Sequence, residues 1–242
     1  MEKNKVDIDD TNISLDLSDA TQAVKENRFQ DAILLLKRIL KDQPDNIDAL
    51  YLAAVSARFL KKFDESKSYI MDLLSNAPDM GRAYQEYGHL NRDQGNEEKA
   101  VMHYRQACEL NPALLSSWNF LYRYFTKHKN KPAADHAEEQ LKKLKSLPGL
   151  LLYISQILNE GRLGLAEEKC RAFLKKNPTH TYAMSLLAEI ANRLGYFDDA
   201  EFLLEKAVEF SPDDGDLRTK YAEILRKKQK FSKTMEQVEI LC

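Results

Sequence analysis

No stretch of this 242-residue sequence stays apolar for the roughly 20 residues that a bilayer-spanning helix needs, which excludes a helical membrane protein. The first residues, MEKNKVDIDDTNISLDLSD, lack the apolar core of a secretory signal and are rich in aspartate. Residues 1–12 therefore read as a disordered tail, and the chain as cytoplasmic. Cysteine is scarce: Cys108, Cys170 and Cys242 are an odd number with no CxxC, so neither a disulfide framework nor a zinc site is expected. Neither sign of charge dominates, with 36 basic against 38 acidic residues, which argues against a nucleic-acid binder. Glycine and proline number only 8 and 7, and no Gly/Ser-rich or Pro-rich linker separates domains.

Reactive constellations are missing as well. The five histidines, His89, His103, His128, His136 and His180, form no HExxH and no Cys/His cluster. His103 reads as an outward-facing residue, and His128 and His136 flank a turn. No phosphate-cradling glycine loop and no GxSxG nucleophile elbow occurs. The chain reads as a non-enzyme that needs no cofactor and no metal.

What is present is a beat. A small residue recurs at Ala32, Ser66, Ala100, Ala134, Ala166, Ala200 and Thr234, in steps of 34, 34, 34, 32, 34 and 34. Proline follows the same beat at Pro44, Pro78, Pro112, Pro178 and Pro212, in steps of 34, 34, 66 and 34. A 34-residue period carrying two helices per unit predicts a tetratricopeptide-type solenoid. Seven units follow, near 13–46, 47–80, 81–114, 115–146, 147–180, 181–214 and 215–242. The expected fold is all-α: antiparallel helix pairs stacked into a right-handed superhelix that buries its core between neighbours.

The third unit shows the grammar most clearly. Tyr84, Tyr87 and Gly88 fall on one stripe of a first helix, because steps of three and four return to the same face. Gly88 and Ala100 let the two helices approach closely, and Gly95 opens the turn between them. Pro112 lacks the donor needed to extend the second helix. Trp118, Tyr122, Tyr153 and Tyr221 take packing places in later units, and Ser116-Ser117 is placed to cap a first helix. The fourth unit is two residues short and is followed by Pro148-Gly149, which predicts a local change of pitch without a domain boundary. The lysine clusters Lys142-Lys143-Lys145 and Arg226-Lys227-Lys228-Lys230 read as solvated surface.

Along nearly its whole length the sequence resembles the tetratricopeptide repeat family. More narrowly, GRAYQEYGHL (81–90), CELNPALLSSW (108–118) and AMSLLAEIANRLGYFDDAEFLLEKAVEFSPD (183–213) resemble the N-terminal repeats of bacterial tetratricopeptide sulfotransferases. That resemblance implies repeats that precede a catalytic domain using phosphoadenylyl sulfate, for which these residues offer no binding loop. The pattern breaks off at Cys242, inside a second helix and before its expected proline, which reads as part of something longer. Apolar residues of that last helix are expected to be exposed and open to self-association. The clamp with which one subclass of the family grips chaperone tails does not align: Gln85, His89, Phe120, Pro148 and Leu152 stand at its places.

The resemblance also implies that the first helix of each unit lines a concave face. Its exposed places hold Tyr51, Val55 and Arg58, then Arg82, Gln85, His89 and Arg92, then Asn119 and Arg123, then Tyr182, Ser185 and Glu189. Arginine forks and rings in one groove suit an extended peptide with acidic or carbonyl-rich segments. The same places suit an ordinary wet surface. Candidate groove residues are Tyr51, Arg82, Gln85, His89, Arg92, Asn119, Arg123 and Tyr182. Three functions remain open: a protein- or peptide-binding scaffold, a substrate-positioning region for an attached sulfotransferase, and a structural spacer or self-association module.

Overall fold

The computed structural model describes the backbone of residues 6–241 and the side chains of residues 13–240. Among the described residues there are fourteen α-helices and no strand, and no helix is long and apolar enough to cross a membrane. They fall into pairs: α1 (Val6–Lys25) with α2 (Phe29–Asp42), α3 (Ile47–Phe59) with α4 (Phe63–Asn76), α5 (Gly81–Asp93) with α6 (Glu97–Leu110), and α7 (Leu115–Lys127) with α8 (Lys131–Lys145). After them come α9 (Gly149–Asn159) with α10 (Leu163–Lys176), α11 (Thr181–Arg193) with α12 (Phe197–Phe210), and α13 (Gly215–Lys227) with α14 (Phe231–Leu241). The chain divides into two compact units, Met1–Leu144 and Lys145–Cys242. That division falls at the end of α8, the second helix of the short fourth repeat. The helix α1 takes in residues 6–12 of the segment read as a tail, and residues 1–5 lie outside the described residues.

The turns inside the repeats explain why the pairs are so regular. At the fifteenth place of every repeat the backbone is left-handed, at Asn27, Lys61, Gly95, Lys129, Gly161, Gly195 and Gln229, with φ between 56 and 82°. Only three of the seven are glycine, the residue for which that conformation is inexpensive. Lys61, Lys129 and Gln229 adopt it at a cost of about 1–2 kcal/mol each, offset by packing of the helices on both sides.

The small residues of the beat sit where the helices touch. Ala32, Ser66, Ala100, Ala134, Ala166 and Ala200 are buried, and Thr234 is half-buried. In Met1–Leu144 one core joins Leu36, Ile39 and Ala53, and another joins Ala100, Tyr104 and Leu121. In Lys145–Cys242 the cores form around Leu151, Ile154 and Ile190, and around Leu204, Tyr221 and Leu225. Helix α9 buries Leu151, Ile154 and Leu158, so Tyr153, expected to pack, is exposed instead.

Two further expectations are corrected. Helix α7 begins at Leu115 with no side-chain cap, so Ser117 lies in its first turn and is buried rather than capping. The second lysine cluster is not free surface. Lys228 donates to Asp198 and Glu201, Lys230 donates to Glu201 at 2.6 and 2.7 Å, and Lys227 donates to Asn192 at 2.8 Å. Those bonds clasp the sixth repeat to the seventh. Phe231, Met235, Val238 and Ile240 of α14 are exposed.

Candidate interaction surface

Within Met1–Leu144 the first helices α1, α3, α5 and α7 lie side by side, each touching the next. This layer follows from the repeat: α1, α3 and α5 each pack on their own second helix and on the following first helix. Residues three and four apart along α3, α5 and α7 therefore meet across it.

Seven of the eight candidate groove residues lie on these three helices. The Arg82 guanidinium of α5 sits over the Tyr51 ring of α3, 4.5 Å from its centroid. Gln85 donates from its Nε2 to the Ser117 Oγ of α7 at 2.9 Å. Arg92 is exposed and pairs with Asp93 at 2.7 Å. Asn119 donates back to the Leu115 carbonyl of its own helix at 2.9 Å, and Arg123 is exposed. Tyr182 belongs to α11 in the other unit, where it is half-buried and burial raises its phenol above the ordinary value.

Two residues read as groove-lining are tied into the helix packing, Arg58 buried and His89 half-buried. Arg58 is 6% exposed and Glu86 is 2% exposed. Arg58 donates from Nε to Glu86 Oε1 at 2.5 Å and from Nη1 to Asp93 Oδ2 at 2.7 Å. Burial by itself would lower the Arg58 pKa, and the bonds to Glu86 and Asp93 outweigh it. Burial pushes the Glu86 carboxyl upward against the pull of Arg58. A guanidinium does not give up its proton near neutral pH, so Arg58 keeps its charge in this pair.

His89 is the second. Its Nδ1 lies 2.5 Å from the Tyr104 hydroxyl of α6, and its pKa falls from 6.5 to about 4. Burial is the main cause, helped by Arg58 and Arg92 and opposed by Asp93. A neutral imidazole accepting or sharing a buried phenol proton is a packing residue, and losing it costs stability. His103 likewise stacks on Tyr87, with ring centroids 3.9 Å apart, rather than facing outward.

The residues missed in the sequence are Glu86 and Asp93, and a signal existed for the first. The sixth place of the repeat is apolar in four of seven units, at Leu52, Phe120, Leu152 and Leu186, with Ser18 and Lys220 in the terminal units, so an acid in the middle of the array stands out. For Arg58 there was none, because its place varies between Arg92, Thr126 and Leu158.

Two clefts open on this unit. One, of about 590 Å³, is bordered by the end of α3, the α3–α4 turn and the end of α5. The other, of about 570 Å³, lies against α6, α7 and α8 beside Trp118 and His136. Among the described residues no group of side chains could hold a metal ion. The buried thiols of Cys108 and Cys170 are pushed by desolvation to about 12 and about 11, so both stay protonated.

A 34-residue beat, paired helices, a left-handed turn at one fixed place and first helices in a layer define an all-α repeat protein of stacked helix pairs. Residues 23–87 and 158–224 match one tetratricopeptide repeat family, and residues 81–114 match another. The first match alone covers more than half of the chain, and the protein belongs to the tetratricopeptide repeat family. Such repeats are typically non-catalytic and fit a role in protein interaction. No curated protein matches the sequence. Among solved structures, a chain of Naa15/Naa10 bound to HypK-THB is similar at 16% identity and TM-score 0.49, covering 95% of this chain and 36% of that one. This chain thus spans about a third of that relative's length. A tetratricopeptide repeat protein from Parabacteroides merdae is similar at 14% identity and TM-score 0.48, covering 95% and 91%. MamA protein is similar at 15% identity and TM-score 0.46, covering 83% and 92%. None of these matches links the repeats to sulfotransferases.

Proposed function

We propose that the protein is a scaffold that holds a protein or extended peptide segment on the face formed by α3, α5 and α7. The observation that carries this reading is the division of labour on that face. Arg82 and Gln85 are oriented by contacts to the neighbouring helices, while Arg92 and Arg123 are exposed beside them. Preoriented polar groups lose little freedom when a ligand arrives, and exposed cations attract acidic or carbonyl-rich segments. Catalysis is not part of this reading. No observation favours a sulfotransferase-associated or spacer role over it.

The test is a partner captured from the native host and then titrated against Arg82→Ala/Arg123→Ala. Binding should weaken by about tenfold or more, and should weaken further with added salt because exposed charge pairs are screened. Thermal melts of the same variant should stay within about 1 kcal/mol of the parent, the scale of one exposed cation–ring contact. A partner that binds the variant as tightly as the parent uses another surface, and the proposal then fails.

A further inference from the structure

One slot recurs at five of the six junctions between repeats, with differing occupants. It joins the seventeenth residue of one repeat to the thirteenth of the next, thirty positions on. Between the first and second repeats it holds a ring stack, Phe29 on Phe59, with centroids 4.4 Å apart and planes 3° apart. Between the third and fourth it holds an ion pair, Lys127 donating to Glu97 at 2.8 and 3.0 Å. Between the fifth and sixth it holds Leu163 and Arg193, the latter donating to the Leu158 carbonyl at 3.0 Å. Between the sixth and seventh it holds a cation over a ring, the Lys227 ammonium 5.9 Å from the Phe197 centroid.

Between the second and third repeats the pair is Phe63 and Asp93. An acid has no attraction for the face of a ring. Asp93 turns instead to Arg58 and Arg92, at 2.7 Å each. Among the described residues Phe63 makes no ring stack and no cation–ring contact; it is half-buried, with one side packed against Ala54, Ile70 and Leu90. The slot holds no pair, and Phe63 and Asp93 both line the 590 Å³ cleft, with His89 beside them. Such a volume lies within the roughly 300–1,000 Å³ of ordinary ligand pockets.

We propose that this cleft receives an aromatic side chain flanked by acidic residues on the bound segment. The proposal rests on reading the α3–α5–α7 face as peptide-binding, and it names the anchor. The ring is argued from the slot: the equivalent place holds ring on ring in one junction and cation on ring in another, so Phe63 presents a face built for such a contact. The acids are argued from charge. Arg58, Lys61 and Arg92 border the cleft, against Asp93 and the Glu86 behind it. One positive charge is left over, and Lys61 and Arg92 are the exposed cations. Phe59, 52% exposed, adds apolar wall. An acid next to an entering ring would reach Arg92 or Lys61 without disturbing the buried Arg58–Glu86 pair.

The experiment uses the full chain and a peptide carrying fluorescein on its N-terminal amine through an aminohexanoyl spacer, Asp-Glu-Trp-Glu-Asp amide, followed by anisotropy. Two control peptides replace its tryptophan by alanine, or its acids by asparagine and glutamine. The acidic aromatic peptide should bind with Kd below about 1 mM. Each control should bind at least about tenfold more weakly. Phe63→Leu keeps the packing volume and removes the ring; Arg92→Glu reverses an exposed charge. Each should weaken the peptide by about five- to tenfold, with thermal melts checking that both variants fold. Lys142→Ala, on the exposed face of α8 and away from the cleft, should leave this short peptide unchanged. No binding at about 1 mM overturns the proposal, as does binding that ignores Phe63→Leu and Arg92→Glu. The wider peptide-binding reading fails on a different result, a captured partner indifferent to Arg82→Ala/Arg123→Ala.

Discussion

Helices α5 and α11 are both thirteen residues long and hold the same place in their repeats, one in each compact unit, yet their interiors are opposites. In α5 the sixth residue is Glu86, bonded to Arg58 of the preceding first helix. In α11 the sixth residue is Leu186, 5% exposed, in one cluster with Leu158, 2% exposed, which stands where Arg58 stands. The eighth residues are Gly88 against Tyr104 and Ala188 clustered with Leu204. The thirteenth residues also correspond: Asp93 accepts from Arg58, and Arg193 donates to the Leu158 carbonyl at 3.0 Å. One backbone geometry therefore accepts either an ionic or an apolar joint. The ionic joint gives up hydrophobic stabilisation and leaves its unit with fixed charges next to an open cleft.

The largest effect should come from breaking one half of the ionic joint. Arg58→Leu alone strands Glu86 at 2% exposure, and should cost about 3–5 kcal/mol in a denaturant titration. Arg58→Leu/Glu86→Leu transplants the Leu158–Leu186 pair, and should be neutral or stabilising by about 1–4 kcal/mol relative to the parent. A double variant no better than the single one would show that the two units are not interchangeable at this joint.

A smaller effect is expected at Gly88. A Cβ there would stand 2.8 Å from two ring carbons of Tyr104, so Gly88→Ala should cost about 1–3 kcal/mol. Gly88→Ala/Tyr104→Leu copies Ala188 and Leu204, and should recover more than the two single changes predict when summed. Strict additivity in thermal melts would mean that the contact does not limit helix approach.

The mildest effect is on pH. The groups facing His89 are Arg58 on α3, Arg92 and Asp93 on α5, and Tyr104 on α6. Its pKa is lowered in the folded chain, from 6.5 to about 4, so the unfolded chain binds more protons between those values. Its contribution to stability is complete above pH 6.5 and declines as pH falls toward 4. The melting temperature of His89→Gln should therefore fall less steeply than the parent's over that window. An NMR titration of His89 with a midpoint near 6.5 would contradict the buried Tyr104 contact.

Most of the fold was legible in the sequence because the repeat states each rule several times. Ala32, Ser66, Ala100 and Ala200 announce the helix contacts, and Gly95, Gly161 and Gly195 announce the turns. Lys61, Lys129 and Gln229 did not, since a left-handed backbone outside glycine is imposed by the helices it joins. The interaction surface was half legible. Arg82, Arg92 and Arg123 could be placed on first helices by spacing alone. The bonds that tie Arg58 and His89 into the packing could not, since their partners Glu86 and Tyr104 lie twenty-eight and fifteen residues away.

The sequence by itself determined the period, the helix pairs and the places where small residues let them touch. Those follow from local chemistry: side-chain size, missing backbone donors and three-to-four spacing. Only the tertiary structure decided which charges are buried and which slot between repeats holds no pair. Those outcomes depend on which residue of the next repeat arrives opposite, and an acid opposite Phe63 is read as unmatched only once the two helices are side by side.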